Sequence, residues 1–270
     1  MKRYITTAIL CIMLLPISVY SQKYSEAIED NSFFIEEAYN QEEHVVQHIS
    51  TGLYERDSKN LGYSFTQEWP AFGQAHQLSY TIPYYWLSQG NGTGIGDVML
   101  NYRYQFWQHD DAVTFSPRFS LILPTGDQDK GTGNGVWAFQ VNMPFSKRIS
   151  EAFAAHVNLG VTVYPGVKAT DIYGIEQKNT VSTVFTGGSL IWLATKNINF
   201  MLEYLANFNR DYNDVNAIEK TTQHIICPGV RYAIDINDLQ IVPGVAFPVT
   251  LEGNKSQTNF FFYLSFEHPY

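Results

Sequence analysis

Residues 97–106 read Asp-Val-Met-Leu-Asn-Tyr-Arg-Tyr-Gln-Phe, and this stretch decides the fold. Every second residue from Val98 to Phe106 is apolar or aromatic, while most of the residues between them, such as Asn101 and Arg103, are polar. Successive side chains of a β-strand point to opposite faces. The stretch therefore predicts a strand with one apolar face and one polar face.

The same alternation recurs over further segments of about ten residues, the pattern that transmembrane β-barrels show. The polar faces carry mostly Asn, Gln, Ser, Thr and Gly, whereas the solvent face of a soluble sandwich is normally richer in Lys and Glu. We therefore predict an all-β fold, an antiparallel transmembrane β-barrel with its apolar faces toward lipid. The recurring segments are 113–121, 137–146, 155–164, 198–209, 224–235 and 239–250.

About twelve strands are predicted, and bacterial barrels have even strand numbers. Short connections alternate with longer ones, of which 165–180 and 210–221 are the longest after strand six, as expected when both termini lie in the periplasm. The eighth strand is the least regular because it contains Gly187-Gly188. The predicted strands are 45–55, 61–69, 76–88, 95–108, 111–123, 135–147, 151–164, 181–194, 197–209, 222–235, 238–250 and 258–269.

The composition agrees with a membrane barrel. Of the 270 residues, 15% are aromatic and only 16% are charged, whereas soluble proteins usually carry about 25% charged residues. The formal net charge is −9. A nucleic-acid partner is therefore not expected, because binding phosphates needs a cationic surface.

Residues 1–21 have the features of an export signal. Lys2 and Arg3 precede a mostly apolar run over 5–19, and Ser21 ends a suitable cleavage site. A single anchoring helix is the alternative interpretation. No later stretch has the 18 or so consecutive apolar residues of a spanning helix, so an exported chain could cross a membrane only as a closed barrel. The predicted location is the outer membrane of a Gram-negative bacterium, with residues 45–270 forming the barrel.

The last strand is strongly amphipathic and ends on an aromatic residue. Phe260, Phe262, Leu264 and Phe266 share one face, and Tyr270 closes the chain. Such a strand looks like the terminal signal of bacterial outer-membrane barrels. The predicted partners are therefore outer-membrane lipid, a small-molecule permeant and the barrel-assembly machinery, which would engage the strand that ends at Tyr270.

Residues 22–44 precede the first predicted strand and form an entry segment. Phe33-Phe34-Ile35 is followed by Glu36-Glu37. The segment either enters the lumen and partly plugs it, or remains a flexible periplasmic tail, as its acidity would favour. The two adjacent phenylalanines favour the ordered interpretation.

Six charged residues fall on predicted inner faces and are candidates for lining the lumen. Arg103 and Arg118 lie on neighbouring strands and are expected at similar heights, facing Glu203 or Glu68 across the lumen. The charges either set a preference among permeants or neutralise one another as structural pairs, because unpaired buried charge is costly. The six candidates are Glu68, Asp97, Arg103, Arg118, Glu203 and Arg231.

No catalytic or metal site is predicted. The seven histidines form no close set with Cys or Glu at metal-ligand spacing. No local Ser and His constellation suggests hydrolysis. We therefore expect no cofactor and no enzymatic activity.

Several short motifs resemble one family of bacterial barrels. They are Gly94-Ile95-Gly96-Asp97, Leu123-Pro124-Thr125-Gly126-Asp127, Gly131-Thr132-Gly133-Asn134-Gly135 and Asn158-Leu159-Gly160, with 35–42 upstream. In these the chain resembles the outer-membrane proteins of the MetA pathway of phenol degradation, distant relatives of hydrophobic-solute channels. The resemblance implies a barrel with a transport role, and it implies no particular substrate.

The predicted function is that of a monomeric channel for passive transport of small solutes, apolar or aromatic ones included. The alternative is a structural or adhesive barrel with a filled lumen. In that case the function would lie in the outer loops at 165–180 and 210–221.

Overall fold

The computed structural model describes residues 32–88, 92–106, 113–213 and 215–270. The predicted signal peptide, residues 1–21, lies outside the described residues. Within them, no helix is long and apolar enough to span a bilayer.

The chain forms a closed antiparallel β-barrel of 12 strands, which confirms the predicted fold class. The strands are β1 (Val45–Tyr54), β2 (Leu61–Pro70), β3 (His76–Trp86), β4 (Thr93–Ile95 and Met99–Tyr104), β5 (Thr114–Phe115 and Arg118–Ile122), β6 (Ala138–Arg148), β7 (Phe153–Thr170), β8 (Glu176–Leu193), β9 (Ile198–Tyr212), β10 (Ile218–Tyr232 and Ile234–Ile236), β11 (Leu239–Ala246 and Val249–Glu252) and β12 (Lys255–Thr258 and Phe260–Pro269).

The barrel closes between its first and last strands. β1 pairs with β12 in an antiparallel register that runs from Val45 opposite Pro269 to Tyr54 opposite Phe260. The backbone N–H of Tyr270 adds a hydrogen bond of 2.9 Å to the carbonyl of His44. Closure leaves no unpaired strand edge, which is the condition for placing a sheet in lipid.

The two faces of the wall are divided as the alternation predicts. Leu100 and Phe119 are exposed on the outer surface, while Asn101, Ser120 and Asn142 are buried on the inner one. The burial pattern is thus inverted relative to a soluble protein, where apolar residues are the buried ones. An apolar outer band around a polar interior is the arrangement of transmembrane barrels.

The predicted long loops at 165–180 and 210–221 are wrong. β7 continues to Thr170 and β8 begins at Glu176, so only a tight turn joins them. The strand pairing continues through a register shift between Asn179 and Val181, and Gly166 has φ 77° nearby. A bulge of this kind moves the following side chains to the opposite faces without ending the strand. The apolar–polar alternation of the sequence is therefore interrupted at a place where the strand continues.

The irregular β8 pairs with both neighbours along its length. A Cβ atom at Gly187 would lie 2.4 Å from the carbonyl oxygen of Tyr204 and 2.7 Å from Cδ1 of Ile35. Gly187 therefore leaves room on the inner wall for a residue of the entry segment.

The barrel has two distinct ends. The end at which β1 begins and β12 ends is assigned as the periplasmic end, because the longer connections of bacterial outer-membrane barrels lie at the opposite, extracellular end. At the other end, the connection from β5 to β6 folds against the inner face, because Asp97 accepts hydrogen bonds from the backbone N–H groups of Gly126 at 3.0 Å and Asn134 at 2.9 Å.

Candidate functional site

Residues 32–41 of the entry segment, here called the plug segment, lie within the lumen. The solvent-exposed fraction is only 1% for Ile35 and 0% for Ala38, although neither residue belongs to a strand. Their burial comes from inward-facing side chains of the wall, all of them in the half of the barrel nearer the periplasmic end. The plug segment therefore fills part of that half.

The backbone of the plug segment is held by wall side chains in place of a neighbouring strand. Asn158 on β7 accepts from the N–H of Glu36 at 2.8 Å and donates to its carbonyl at 2.6 Å. Ser146 on β6 accepts from the N–H of Ala38 at 2.7 Å, and Ser116 donates to the Ala38 carbonyl. Glu36 and Ala38, two residues apart, are thus each bound through both backbone groups, as in an extended strand whose ladder is made of side chains.

The later part of the segment is bound in the same manner. Gln105, which directly follows β4, accepts from the N–H of Asn40 at 2.8 Å, and Gln77 on β3 accepts from the N–H of Gln41 at 2.8 Å. The wall partners thus follow the inner surface from β7 through β6 and β4 to β3. The segment is anchored at many points and by neutral groups for most of its length.

The first residues of the plug segment are held by a carboxylate and by aromatic packing. The Glu203 carboxylate on β9 accepts from the N–H groups of Phe33 at 2.7 Å and Phe34 at 2.8 Å. The Phe33 ring meets Phe261 and Tyr263 of β12 edge to face, with centroids 5.6 and 6.0 Å apart. Phe33 thereby joins the plug segment to β12.

Arg103 binds four residues of the plug segment. Its guanidinium donates to the Tyr39 carbonyl at 2.5 Å, to the Glu37 carbonyl at 3.0 Å and to Oδ1 of Asn40 at 2.9 Å. It also forms ion pairs with Glu36 at 3.2 Å and Glu37 at 3.4 Å. One cation therefore fixes both the backbone and the two carboxylates of the plug segment.

Arg118 lies directly opposite Arg103 in the register of β4 and β5. Its Nε donates to the Glu36 carboxylate at 2.8 and 2.9 Å, and its Nη2 donates to Oε1 of Gln140 at 2.7 Å. Among the described residues, the carboxylates that form ion pairs with the two arginines are therefore Glu36 and Glu37 of the plug segment, which the sequence did not predict as their partners.

Glu36 is the carboxylate shared by both arginines. Burial opposes its ionisation, but the charges of Arg118 and Arg103 and a hydrogen bond from Asn142 outweigh that effect and hold the pKa of Glu36 below its ordinary value. Glu36 is therefore an anion at neutral pH and binds the plug segment to the wall electrostatically.

The other predicted charges have separate surroundings on the inner face. Glu68 accepts a hydrogen bond of 2.7 Å from Gln77, and Asp97 holds the connection from β5 to β6. The Arg231 guanidinium is buried, lies 5.9 Å from the centre of the Tyr263 ring and has no hydrogen-bond partner within the described ranges. The six candidates thus do not form one cluster.

A cavity of about 460 Å³ lies on the extracellular side of the plug segment and is here called the upper cavity. Phe34 and Glu36 contribute to its floor. Its walls carry side-chain amides and hydroxyls together with a few apolar groups. Among the wall residues are Arg118, Gln140, Thr162, Phe185, Asn207 and Asn209.

Sequence reasoning missed the neutral groups that bind the plug segment. Asn142 and Asn158 lie on polar faces of predicted strands, but nothing in the sequence distinguishes them from other polar wall residues. The parity of each strand was the available signal, because it identifies every side chain that can reach an object inside the lumen. Within the described part of the chain, no group of three or more His, Cys, Asp or Glu residues could hold a metal ion.

Comparison with known proteins gives one family and several barrels. The family model described as "Putative MetA-pathway of phenol degradation" matches residues 41–255. An outer-membrane channel from Pseudomonas putida F1 is similar, with a TM-score of 0.57 at 11% identity over 84% of this chain and 94% of that one. The NanC porin has a TM-score of 0.55 at 12% identity over 81% of this chain and 98% of its own. None of the curated proteins matches the chain.

Proposed function

The chain belongs to the family of MetA-pathway phenol-degradation proteins, and from that premise we propose that it is a channel for passive transport of small solutes. The family match confirms the resemblance predicted from the sequence. The fold is that of outer-membrane porins and channels, and the chain is an outer-membrane β-barrel of a Gram-negative bacterium. Passive transport is the part of the function that we add.

One observation carries the proposal. The wall of the lumen is polar, and the plug segment, which fills part of its periplasmic half, is held there by side chains of the wall. Wall strands are joined by continuous backbone ladders, whereas the plug segment is joined to the wall through groups such as Asn158 and Glu203. Side-chain contacts can be exchanged for contacts with water without opening the barrel. Displacement of the plug segment would therefore create a path while the wall stays intact.

The proposed solutes are small because the upper cavity is small. Its volume of about 460 Å³ lies in the range of roughly 300–1,000 Å³ that is usual for small-molecule sites. Phe34, Phe185 and Leu205 line it beside the amides, so an apolar or aromatic portion of a solute would find contacts there. Transport is passive in this proposal, and flow follows the concentration gradient.

Single-channel conductance in planar bilayers tests the proposal. We expect the intact barrel to show a low open probability and a variant that lacks residues 32–41 to conduct persistently. A shift between boiled and unboiled samples on a denaturing gel controls for barrel folding in both proteins. A folded deletion variant that does not conduct would reject the channel.

The alternative function, a structural or adhesive barrel, draws on one feature of the extracellular end. The tip of the β7–β8 hairpin exposes Ile172, Tyr173 and Ile175 by 69%, 81% and 60%. Apolar side chains at an exposed tip can serve as contacts for a partner. This function would be favoured if the deletion variant stays closed while shortening of the hairpin tip abolishes attachment of cells to surfaces.

Two further elements belong to the proposal. The chain acts without catalysis, in keeping with the channels and porins that it resembles in fold.

The strand that ends at Tyr270 is recognised by the barrel-assembly machinery. Deletion of Tyr270 should therefore lower the amount of assembled barrel in the outer membrane, whereas Tyr173→Ala at the exposed hairpin tip should leave it unchanged.

A further inference from the structure

The two arginines of the plug site face different surroundings. Arg118 lines the upper cavity, and 15% of its side chain is exposed, compared with 2% for Arg103. A solute that enters from the extracellular side would therefore meet Arg118 first. Arg103 is covered by the plug segment to which it donates.

The two arginines also differ in the number of carboxylates with which they pair. Arg103 has ion pairs with both Glu36 and Glu37. For Arg118, Glu36 is the single ion-pair partner found among the described residues, at 2.8 Å. If Glu36 moved away, Arg103 would keep Glu37, whereas Arg118 would be left without an anion.

The groups around the Glu36 carboxylate form a complete anion site. Nε of Arg118 lies 2.8 Å from Oε2, Nη1 of Arg103 lies 3.2 Å from Oε1, and Nδ2 of Asn142 donates to Oε2 at 2.7 Å. Gln140 accepts from Nη2 of Arg118 and so orients the guanidinium. An arginine held in place with an amide donor beside it is suited to any carboxylate, including one that does not belong to this chain.

The same cavity offers apolar surface close to this anion site. Phe34, Phe185 and Tyr164 line it together with Arg118. A ligand with a carboxylate at one end and a ring or short apolar body at the other would match both features. Phe34 belongs to the plug segment, and its backbone N–H donates to Glu203 of the wall. A ligand that contacts Phe34 would therefore contact the plug segment directly.

We propose that Arg118 and Asn142 form a binding site for small organic carboxylates, that Glu36 occupies this site in the closed barrel, and that a solute carboxylate opens the channel by replacing Glu36. The proposal rests on the channel function argued above and adds the solute class and the trigger. Exchange of one carboxylate for another preserves the charge balance at Arg118. A neutral solute of the same shape cannot do this, because it would leave buried cationic charge uncompensated.

Because the solute and Glu36 compete for Arg118, the solute binds the open barrel more tightly than the closed one. A ligand shifts an equilibrium only through such a difference in affinity. In the closed state Glu36 competes for Arg118, whereas in the open state Arg118 is free for the solute. Binding therefore favours the state in which the plug segment is released.

The experiment compares benzoate with benzamide, which has a similar shape and no charge. Each is added to the extracellular side of single wild-type channels. We expect benzoate to raise the open probability on the order of tenfold and benzamide, at the same concentration, to leave it unchanged. Equal effects of the two compounds would overturn the proposal.

Substitutions at the site provide a second test. In Glu36→Gln the site has lost its internal anion, so benzoate should bind more tightly than to wild type in calorimetric titrations and should no longer raise the open probability. Adding Arg118→Met to Glu36→Gln should abolish this binding. If the double variant binds benzoate as tightly as Glu36→Gln alone, Arg118 is not the site.

The variant that lacks residues 32–41 separates the two levels of the proposal. If this variant folds and does not conduct, the channel function itself fails. If it conducts while benzoate and benzamide act alike on wild type, only the carboxylate exchange is rejected.

Discussion

The two halves of the lumen use polar side chains in different ways. In the periplasmic half, Arg103, Arg118 and Glu203 bind a segment of the chain itself. In the extracellular half, neutral groups such as Asn207 and Asn209 line a cavity and bond to one another across strands. In the periplasmic half, here called the charged half, ion pairs therefore add to the neutral hydrogen bonds that hold the plug segment. In the extracellular half, here called the neutral half, the amides and hydroxyls around the upper cavity leave space for a solute.

The largest expected effect comes from removing the central cation of the charged half. Arg103→Ala leaves the carboxylates of Glu36 and Glu37 without their shared partner, and breaking a buried pair costs about 3–5 kcal/mol. We expect the open probability to rise roughly a hundredfold or more, measured by single-channel recording. Arg56→Ala is the control, because Arg56 pairs only at the exposed surface. An Arg103→Ala barrel that folds and stays as closed as wild type would falsify the assignment of charge to closure.

A smaller effect is expected from the aromatic anchor of the same half. Phe33→Leu keeps an apolar side chain but removes the edge-to-face contacts with Phe261 and Tyr263. Aromatic pairs contribute about 0.5–1.5 kcal/mol each, so the open probability should rise roughly tenfold.

The matched control for Phe33→Leu is Phe72→Leu, since Phe72 is 90% exposed in the β2–β3 turn. Equal conductance in Phe33→Leu and wild type would mean that the polar contacts hold the plug segment without the ring.

The wall of both halves follows from the sequence, whereas the contacts that hold the plug segment do not. Dyad alternation predicted the twelve strands and their faces because each strand carries its own signal. The plug segment has no period, and its partners, such as Asn158 and Arg103, are distant in the chain. Gly187 appears in the sequence as an irregularity of β8, and the structure explains it by the close approach of the Tyr204 carbonyl and of Ile35.

Acidification should weaken the ion pairs that Glu36 forms in the charged half and leave the hydrogen bonds of the neutral half unaffected. The pKa of Glu36 is lowered in the folded barrel, so its contribution to closure is complete above the ordinary glutamate pKa of about 4.3. It is lost as the pH falls through the depressed value. We expect a reversible rise of a few-fold in open probability between roughly pH 5 and pH 3.

Glu36→Gln is the reference for the pH series, because it cannot lose this proton. Glu37 and Glu68 also face Arg103 and are present in both proteins, so the difference between the two series belongs to Glu36. Identical pH dependence in wild type and Glu36→Gln would contradict the role of its ion pairs.

The smallest effect is expected in the neutral half. Asn209→Asp introduces a charge with almost no change of shape, and Thr183 can still donate to it as it does to Asn209 at 2.9 Å. In the variant that lacks residues 32–41, this substitution should shift the reversal potential toward cations by less than about twofold in permeability ratio, and less in ~1 M salt than in ~0.1 M salt because of screening. Asn254→Asp in the exposed β11–β12 turn should have no such effect. A shift as large at high salt as at low salt would place Asn209 in a narrow part of the path, and the neutral half would then take part in selection.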